Sequence, residues 1–243
     1  MVGTIISARR SYVAGRWVDG DEVLPVENPA DESHVADVSV TPLAEVRRAV
    51  AEARRTFDDG VWADLPAGER ARALHAFLDH VEGSRAELVG TIVAEAGQPT
   101  WFAEHTQVGA GVALARATVD LFLSMPHEEA NPVPLDELVR GRVALSVRRH
   151  EPVGVVAAIT PYNAALLMAF QKVVPALMAG NSVILRPSPL TPISSLVLGA
   201  AADAAGLPPG VLSVVVEAGS AGAELLTGDP VTAAEHQQHQ RRP

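Results

Sequence analysis

Three polar stations in the C-terminal half of the chain carry residue types from which a ligand site can be built. Thr160-Pro161-Tyr162-Asn163 follows the apolar run Gly154–Ile159, and Arg186-Pro187-Ser188 follows Ser182–Leu185. Glu217-Ala218-Gly219-Ser220-Ala221-Gly222 follows Val211–Val216. A glycine-bearing turn that leaves a strand and opens a helix offers backbone N–H groups and the positive helix end to a diphosphate. Gly219 and Gly222 are not spaced as G-x-G-x-x-G, so the turn taken alone is equally an ordinary strand-to-helix connection. Asn163, taken alone after Pro-Tyr, reads first as a turn residue. Lys172 reads as exposed or structural. His236 and His239 have a spacing that suits a metal on a helix, but no third ligand is near and the segment is polar throughout, so no metal site is expected.

The elements that must hold these stations follow from periodicity. Gly154–Ile159 is apolar without alternation, the mark of a strand buried on both faces and hence of a sheet covered by helices on both sides. A helix over Ala164–Met178 closed by Gly180, a strand Ser182–Leu185, a helix from Thr191-Pro192 to Ala205-Gly206 and a strand Val211–Val216 complete a βαβαβ unit over residues 151–231. Such alternation forces parallel pairing with right-handed crossovers, and ligands bind beyond the carboxyl ends of the strands. Upstream, Tyr12–Val18 is a short strand pair turning at Gly15, and Asn28-Pro29-Ala30 is a loop. A helix starts at Thr41 as cap with Pro42 in its first position; Val46, Ala49, Val50, Ala53 and Phe57 share one face. A second helix carries Leu74, Phe77, Leu78 and Val81. A third starts at Ser84, with Glu87 completing a capping box, and stops at Gly97. A fourth runs from about Trp101 to Leu123, its Trp101, Phe102 and Phe122 directed to the core. Residues 127–136 read as an exposed connection, and Arg142–Arg149 as a half-exposed strand wanting a partner.

Composition narrows the function. The chain has 243 residues, 48% hydrophobic and 20% charged, with a formal net charge of −10. That acidity and the lack of a Lys/Arg cluster exclude a nucleic-acid footprint. No apolar run reaches the ~18 residues of a spanning helix, and the N-terminus lacks the pattern of a secretory signal, so a cytoplasmic protein is expected with no membrane partner. Zero cysteines exclude disulfides, thiolate metal sites and a cysteine nucleophile within these residues.

The motifs ITPYN (159–163), LLMAFQKVVPALMAGNSVILRPSPLTP (166–192) and AGLPPGVLSVV (205–215) resemble the aldehyde dehydrogenase superfamily, NAD(P)-dependent enzymes that oxidise aldehydes to acids through a thioester. YVAGRWVDG, VENPADESHVADV, VRRAVAEARRTFDDGVWADLPAGERARAL and EAGQP extend the resemblance over roughly residues 11–231. It implies an α/β fold, a Rossmann-type parallel sheet with flanking helices, incomplete at the C-terminus. Residues 1–137 would form the N-terminal part of the cofactor domain, 138–150 an oligomerisation-type strand, 151–231 the nucleotide-binding portion and 232–243 a disordered tail. By the same resemblance Asn163 is the amide donor to the oxyanion formed when the nucleophile attacks the aldehyde. Ile159, Thr160, Pro161 and Tyr162 pass beside the nicotinamide half of the cofactor, Tyr162 standing where tryptophan is frequent. Arg186 replaces the lysine that holds the adenosine ribose, Ser188 stands beside it, and Gly219 and Gly222 match the diphosphate turn.

Two departures bear on the cofactor, NAD or NADP. Arg186 for lysine, with Pro189 where many members have a ribose-binding glutamate, points to tolerance of or preference for NADP, because a guanidinium grips a 2′-phosphate and a lost carboxylate no longer repels it. Equally, Arg186 simply keeps a cationic donor. The family's cysteine nucleophile, its Phe-Thr-Gly-Ser segment and its Glu-Leu-Gly-Gly base motif do not occur. The chain is therefore expected to stop short of the catalytic machinery, to be inactive alone, and to leave an unpaired apolar edge beside Val211–Val216. Its intact relatives would act on a small aldehyde and form homo-oligomers. A catalytically inactive nucleotide- or partner-binding protein is the alternative.

Overall fold

The computed structural model describes residues 9–131, 146–230 and 232–235. The chain opens with β1 (Ser11–Val13) and β2 (Arg16–Val18), joined by Ala14 and Gly15 at φ 48° and 81°. Two consecutive positive φ values give the turn whose twist matches that of the flanking strands, as Gly15 foretold. Across the pair Tyr12 faces Trp17, ring centroids 5.2 Å apart. A second hairpin follows, β3 (Val23–Glu27) with β4 (His34–Ser39), which the sequence reading did not anticipate on either side of its Asn28 loop.

Four helical segments come next: α1 (Leu43–Asp58), α2 (Ala67–Gly83), α3 (Arg85–Ala96) and a long one in three parts. The last begins as α4 (Thr100–Phe102), is wound as a π-helix over Ala103–Ala110 and returns to α geometry as α5 (Gly111–Ser124). It spans the expected range, with the π segment as an addition. Trp101, expected in the core, is 63% exposed. Gly97 ends α3 at φ 61°, as expected of a helix terminator.

Two capping expectations fail for the same reason. Thr41 does not cap α1, which starts one residue later than foreseen with Pro42 at its N-cap. Its hydroxyl instead bonds Ser11 Oγ at 2.5 Å and accepts the Val216 N–H at 2.8 Å, while its own N–H donates to the Val216 carbonyl. Ser84 sits at the N-cap of α3 without a capping bond; its hydroxyl donates to the His80 carbonyl. In each case a partner outside the first helical turn, the Val216 N–H for Thr41 and the His80 carbonyl for Ser84, engages the hydroxyl in place of the local N–H donors.

β5 (Glu128–Ala130) corrects the expectation of a plain connection over 127–136: it pairs antiparallel with β6 (Val147–Arg149), matching Glu128 with Arg149 and Glu129 with Arg148. Residues 132–145, and with them most of the expected 142–149 strand, lie outside the described residues.

The βαβαβ unit forms as read: β7 (Val155–Ile159), α6 (Ala165–Met178), β8 (Ser182–Arg186), a 3-10 turn (Ser194–Leu196) leading into α7 (Val197–Ala204), and β9 (Leu212–Val214). β7, β8 and β9 are parallel neighbours. Both faces are covered. Val156, Ala158, Val183 and Leu185 join the cluster built with α2, α3, α5, α6 and α7, whereas Val155, Ala157 and Ile184 join that built with α1 and Leu226 of α8 (Ala221–Gly228).

Two edges differ from expectation. The sheet order is β10-β7-β8-β9-β1-β2, so β9 is flanked by β1, antiparallel, with Tyr12 opposite Val214. The apolar edge foreseen there is closed by the chain's own first hairpin. On the other side β10 (Thr232–Glu235), expected as disordered tail, runs parallel to β7 with Thr232 opposite Val155. Parallel addition beside the apolar β7 satisfies backbone groups that would otherwise be unpaired. Residues 236–243, including His236 and His239, lie outside the described residues.

Side chains from distant elements close the frame around α6. Trp62, 1% exposed, donates its Nε1–H to the Leu177 carbonyl at 2.8 Å, and Arg70 donates to the carbonyls of Met178, Ala63 and Leu65. Thus the C-terminal carbonyls of α6, which no helical N–H can reach, find donors in the loop before α2 and in α2 itself. The Arg70 guanidinium has its pKa lowered by burial. Glu95, 2% exposed at the end of α3, accepts the N–H groups of Ile193 (2.7 Å) and Ser194 (3.0 Å) at the start of the 3-10 turn.

Candidate nucleotide site at the carboxyl ends of the sheet

Parallel pairing of β7, β8 and β9 brings the three polar stations to one edge of the sheet. Thr160 continues the ladder, its N–H donating to the Arg186 carbonyl at 3.1 Å. Its side chain is buried at 3% exposure, yet Oγ1 has no hydrogen-bond partner among the described residues. A buried hydroxyl left unpaired at a strand end is what a ligand group would satisfy. Ile159 and Pro161 are partly buried, and Tyr162 projects at 56% exposure.

Asn163 is exposed, its amide free to meet a ligand, while its backbone is held from the opposite side. Gln98 Nε2 donates to the Asn163 carbonyl at 2.7 Å; Gln98 Oε1 accepts from Gln107 Nε2, also at 2.7 Å; and Gln107 Oε1 accepts the Leu167 N–H at 3.2 Å. Gln107, 1% exposed, lies in the π-helical segment. The wider winding presents the side chain toward α6, in keeping with the frequency of π segments near functional sites. Sequence reading passed over both glutamines, although Gln98 lies inside EAGQP. Replacing Gln107 by leucine is expected to orphan the Leu167 amide and free Gln98. Hydrogen exchange of Leu167 N–H should rise roughly tenfold or more, the equivalent of one lost buried hydrogen bond. Unchanged protection at Leu167 would show that the relay does not hold the Asn163 turn.

Arg186, at the end of β8, is 12% exposed and bonds Glu217 through Nε at 2.9 Å; its Nη2 donates to the Gly219 carbonyl at 2.6 Å. Glu217, 8% exposed, spends its other oxygen on the Gly222 N–H at 2.5 Å. One carboxylate therefore joins the end of β8 to the first turn of α8. A Cβ at Gly222 would push that carboxylate aside and break its bond to the Gly222 N–H; beside Gly219 the space is open. The Thr41 bonds to Val216 fix the backbone from which Glu217 departs. Ser188, 8% exposed, caps its own turn, accepting the Leu190 N–H at 3.3 Å. A cavity of about 490 Å³ opens at the turn, lined by Asp21, Glu22, Thr41, Leu43, Gly219 and Ser220 among others. Lys172, outside this edge, is buried in α6.

The donor set fits the ribose and diphosphate half of a dinucleotide. It offers a guanidinium at one strand end, an open glycine at the next and the N-terminus of an eight-residue helix. One first-turn amide of that helix, that of Gly222, is taken by Glu217. Among the described residues no cluster of histidine, cysteine or acidic side chains could hold a metal, and no helix is long and apolar enough to cross a membrane.

Known proteins resemble this chain in sequence and in fold. A 3-sulfolactaldehyde dehydrogenase of Pseudomonas putida is 36% identical over 227 residues, covering 92% of this chain and 44% of the relative. Among solved structures, a gamma-glutamyl-gamma-aminobutyraldehyde dehydrogenase from Burkholderia cenocepacia superposes with a TM-score of 0.84 at 30% identity, covering 93% of this chain and 45% of its own. An indole-3-acetaldehyde dehydrogenase solved in complex with NAD+ gives 0.80 at 30% identity, over 88% of this chain and 42% of that one. The chain thus spans less than half the length of the relatives it matches. A model of the aldehyde dehydrogenase family matches residues 17–234, and the chain belongs to that family.

Proposed function

We propose that these residues form the nucleotide-binding portion of an NAD(P)-dependent aldehyde dehydrogenase, which oxidises an aldehyde to a carboxylic acid. The observation that carries this reading is the alignment on one sheet edge of Thr160–Asn163, Arg186–Ser188 and Glu217–Gly222, the carboxyl ends where open α/β sheets bind ligands. Arg186 and Ser188 would hold the adenosine ribose, Gly219 and the α8 amides the diphosphate, and Ile159–Tyr162 the nicotinamide half. The bound dinucleotide would supply the hydride acceptor. Asn163 would contribute a preorganised amide dipole to the oxygen that gains negative charge, a donor of a kind worth about 2.7–4 kcal/mol in the transition state.

The 243 residues contain no cysteine, so the covalent step of the family is not carried by them. The chain alone would bind nucleotide without turning over aldehyde, as a cytoplasmic protein. The exposed β5–β6 ribbon would serve assembly with further copies. Isothermal titration of the purified chain with NAD+ should give saturable binding, and a mixture of chain, aldehyde and NAD(P)+ should form no NAD(P)H. Absence of binding would remove the nucleotide reading, and aldehyde-dependent NAD(P)H would remove the inactive one. The lack of cysteine also favours a second reading, a non-catalytic nucleotide- or partner-binding protein of the same ancestry.

A further inference from the structure

Resting on the nucleotide reading, we propose that Glu217 makes this site select a ribose with a free 2′-hydroxyl over one bearing a 2′-phosphate, and so NAD over NADP. One of the two sequence readings points the other way, because Arg186 is a phosphate-gripping residue and Pro189 withdraws the usual carboxylate. In the folded chain the carboxylate is supplied from the next strand end. Glu217 Oε2 lies 2.9 Å from Arg186 Nε, both side chains nearly buried, and Arg186 Nη2 is committed to the Gly219 carbonyl. The guanidinium that would have to embrace a phosphate is already neutralised and two of its nitrogens are engaged.

A 2′-phosphate at this point has two ways to bind, both unfavourable. It can draw Arg186 away from Glu217, which leaves a nearly buried carboxylate facing a dianion with only the Gly222 N–H for support. Alternatively it can settle beside the intact pair, in a cavity whose lining includes Asp21, Glu22 and Glu217 and no lysine or arginine. A 2′-hydroxyl meets neither cost. It can donate to a Glu217 oxygen, as acidic residues do for the ribose of NAD in other doubly wound sheets. Glu217 is also held at this strand end by the Gly222 N–H on Oε1, which keeps its carboxylate beside the ribose position.

The test uses the full chain and two ligands that differ only in the group at issue, 5′-AMP and adenosine 2′,5′-bisphosphate, with NAD+ and NADP+ as a second pair, titrated calorimetrically. The wild type should bind 5′-AMP and NAD+ several-fold more tightly than their 2′-phosphorylated counterparts. Glu217→Gln should shift the ratio of affinities toward the 2′-phosphates by about tenfold or more. A purely architectural Glu217 would weaken both ligands alike, and an unchanged ratio in folded Glu217→Gln overturns the proposal. A wild-type preference for the 2′-phosphates overturns it without any variant. Should Glu217→Gln fail to fold by circular dichroism, Arg186→Gln serves instead: with Glu217 left unbalanced the preference for 5′-AMP should widen, and a narrowing overturns the proposal. If no ligand of either pair binds the wild type, the nucleotide reading falls as well, an outcome distinct from binding with the wrong ratio.

Discussion

The unfolding free energy of the wild-type chain is expected to fall as pH rises from about 4.5 to about 7, and this part of the profile should be flat in Glu95→Gln. Burial pushes the Glu95 carboxyl from 4.5 up to about 7, against a smaller pull downward from its hydrogen bonds to Ser194 and Ile193. Between those two values the folded chain holds a proton that the unfolded chain releases, so deprotonation favours unfolding. The contribution is fully present below the unfolded value of 4.5 and is lost as pH passes about 7. At ~1.4 kcal/mol per pH unit the difference between variant and wild type should change by about 3 kcal/mol between pH 4.5 and pH 8. The exposed carboxylates of Asp31 and Asp58 are shifted downward, the first chiefly by Ser33 and the second chiefly by Arg54, so they act below this window. Urea titrations at a series of pH values would measure both profiles. Parallel curves for the two proteins would show that Glu95 is not the group responsible.

The second large effect is expected at Trp62. Truncation to alanine removes a fully buried indole and should cost about 3–5 kcal/mol. It also removes one of the two donors to the Leu177 carbonyl, which keeps the Gly180 N–H, for about 0.5–1.5 kcal/mol more. Set against a total stability of about 5–15 kcal/mol, Trp62→Ala should be largely unfolded at room temperature or unfold at markedly lower urea. Trp62→Phe separates the two parts, keeping most of the ring's apolar area while dropping the N–H, and should lose about 0.5–1.5 kcal/mol. Circular dichroism during urea unfolding measures both. Equal losses for Phe and Ala would mean that the hydrogen bond to α6, and not the packing, dominates.

Much of this molecule was legible along the chain because its signals are local. Gly154–Ile159 and Ser182–Leu185 announce two-sided burial by having no alternation, Gly15 and Gly97 mark a turn and a helix end, and Asn163 stands at the end of its strand as read. What escaped depends on partners far away in sequence. Thr41 has the form of a helix cap, and only the approach of Val216 and Ser11 diverts it. Pro25 in the middle of β3 hides a strand that is confined to a two-stranded sheet, where a missing donor is tolerated. Glu95 and Glu217 read as ordinary acidic residues. Their significance lies in amides and a guanidinium that only the fold brings to them. Arg186 stands at a strand end that its sequence position gives away, but its ion pair with Glu217 comes from the next strand end and is invisible along the chain.

The antiparallel seat of β1 beside β9 also sets a timetable. Ala14 donates its N–H to Ser213 Oγ across 199 positions of sequence. At about 5–20 residues per second a ribosome would leave the first hairpin waiting roughly 10–40 s before its place in the sheet exists. During that interval Tyr12 and Val13, both buried in the finished protein, have no sheet to enter. The N-terminal hairpin is thus among the last parts of the sheet to dock although it is the first to be made, and the unseated chain is when a holding chaperone would have most to cover.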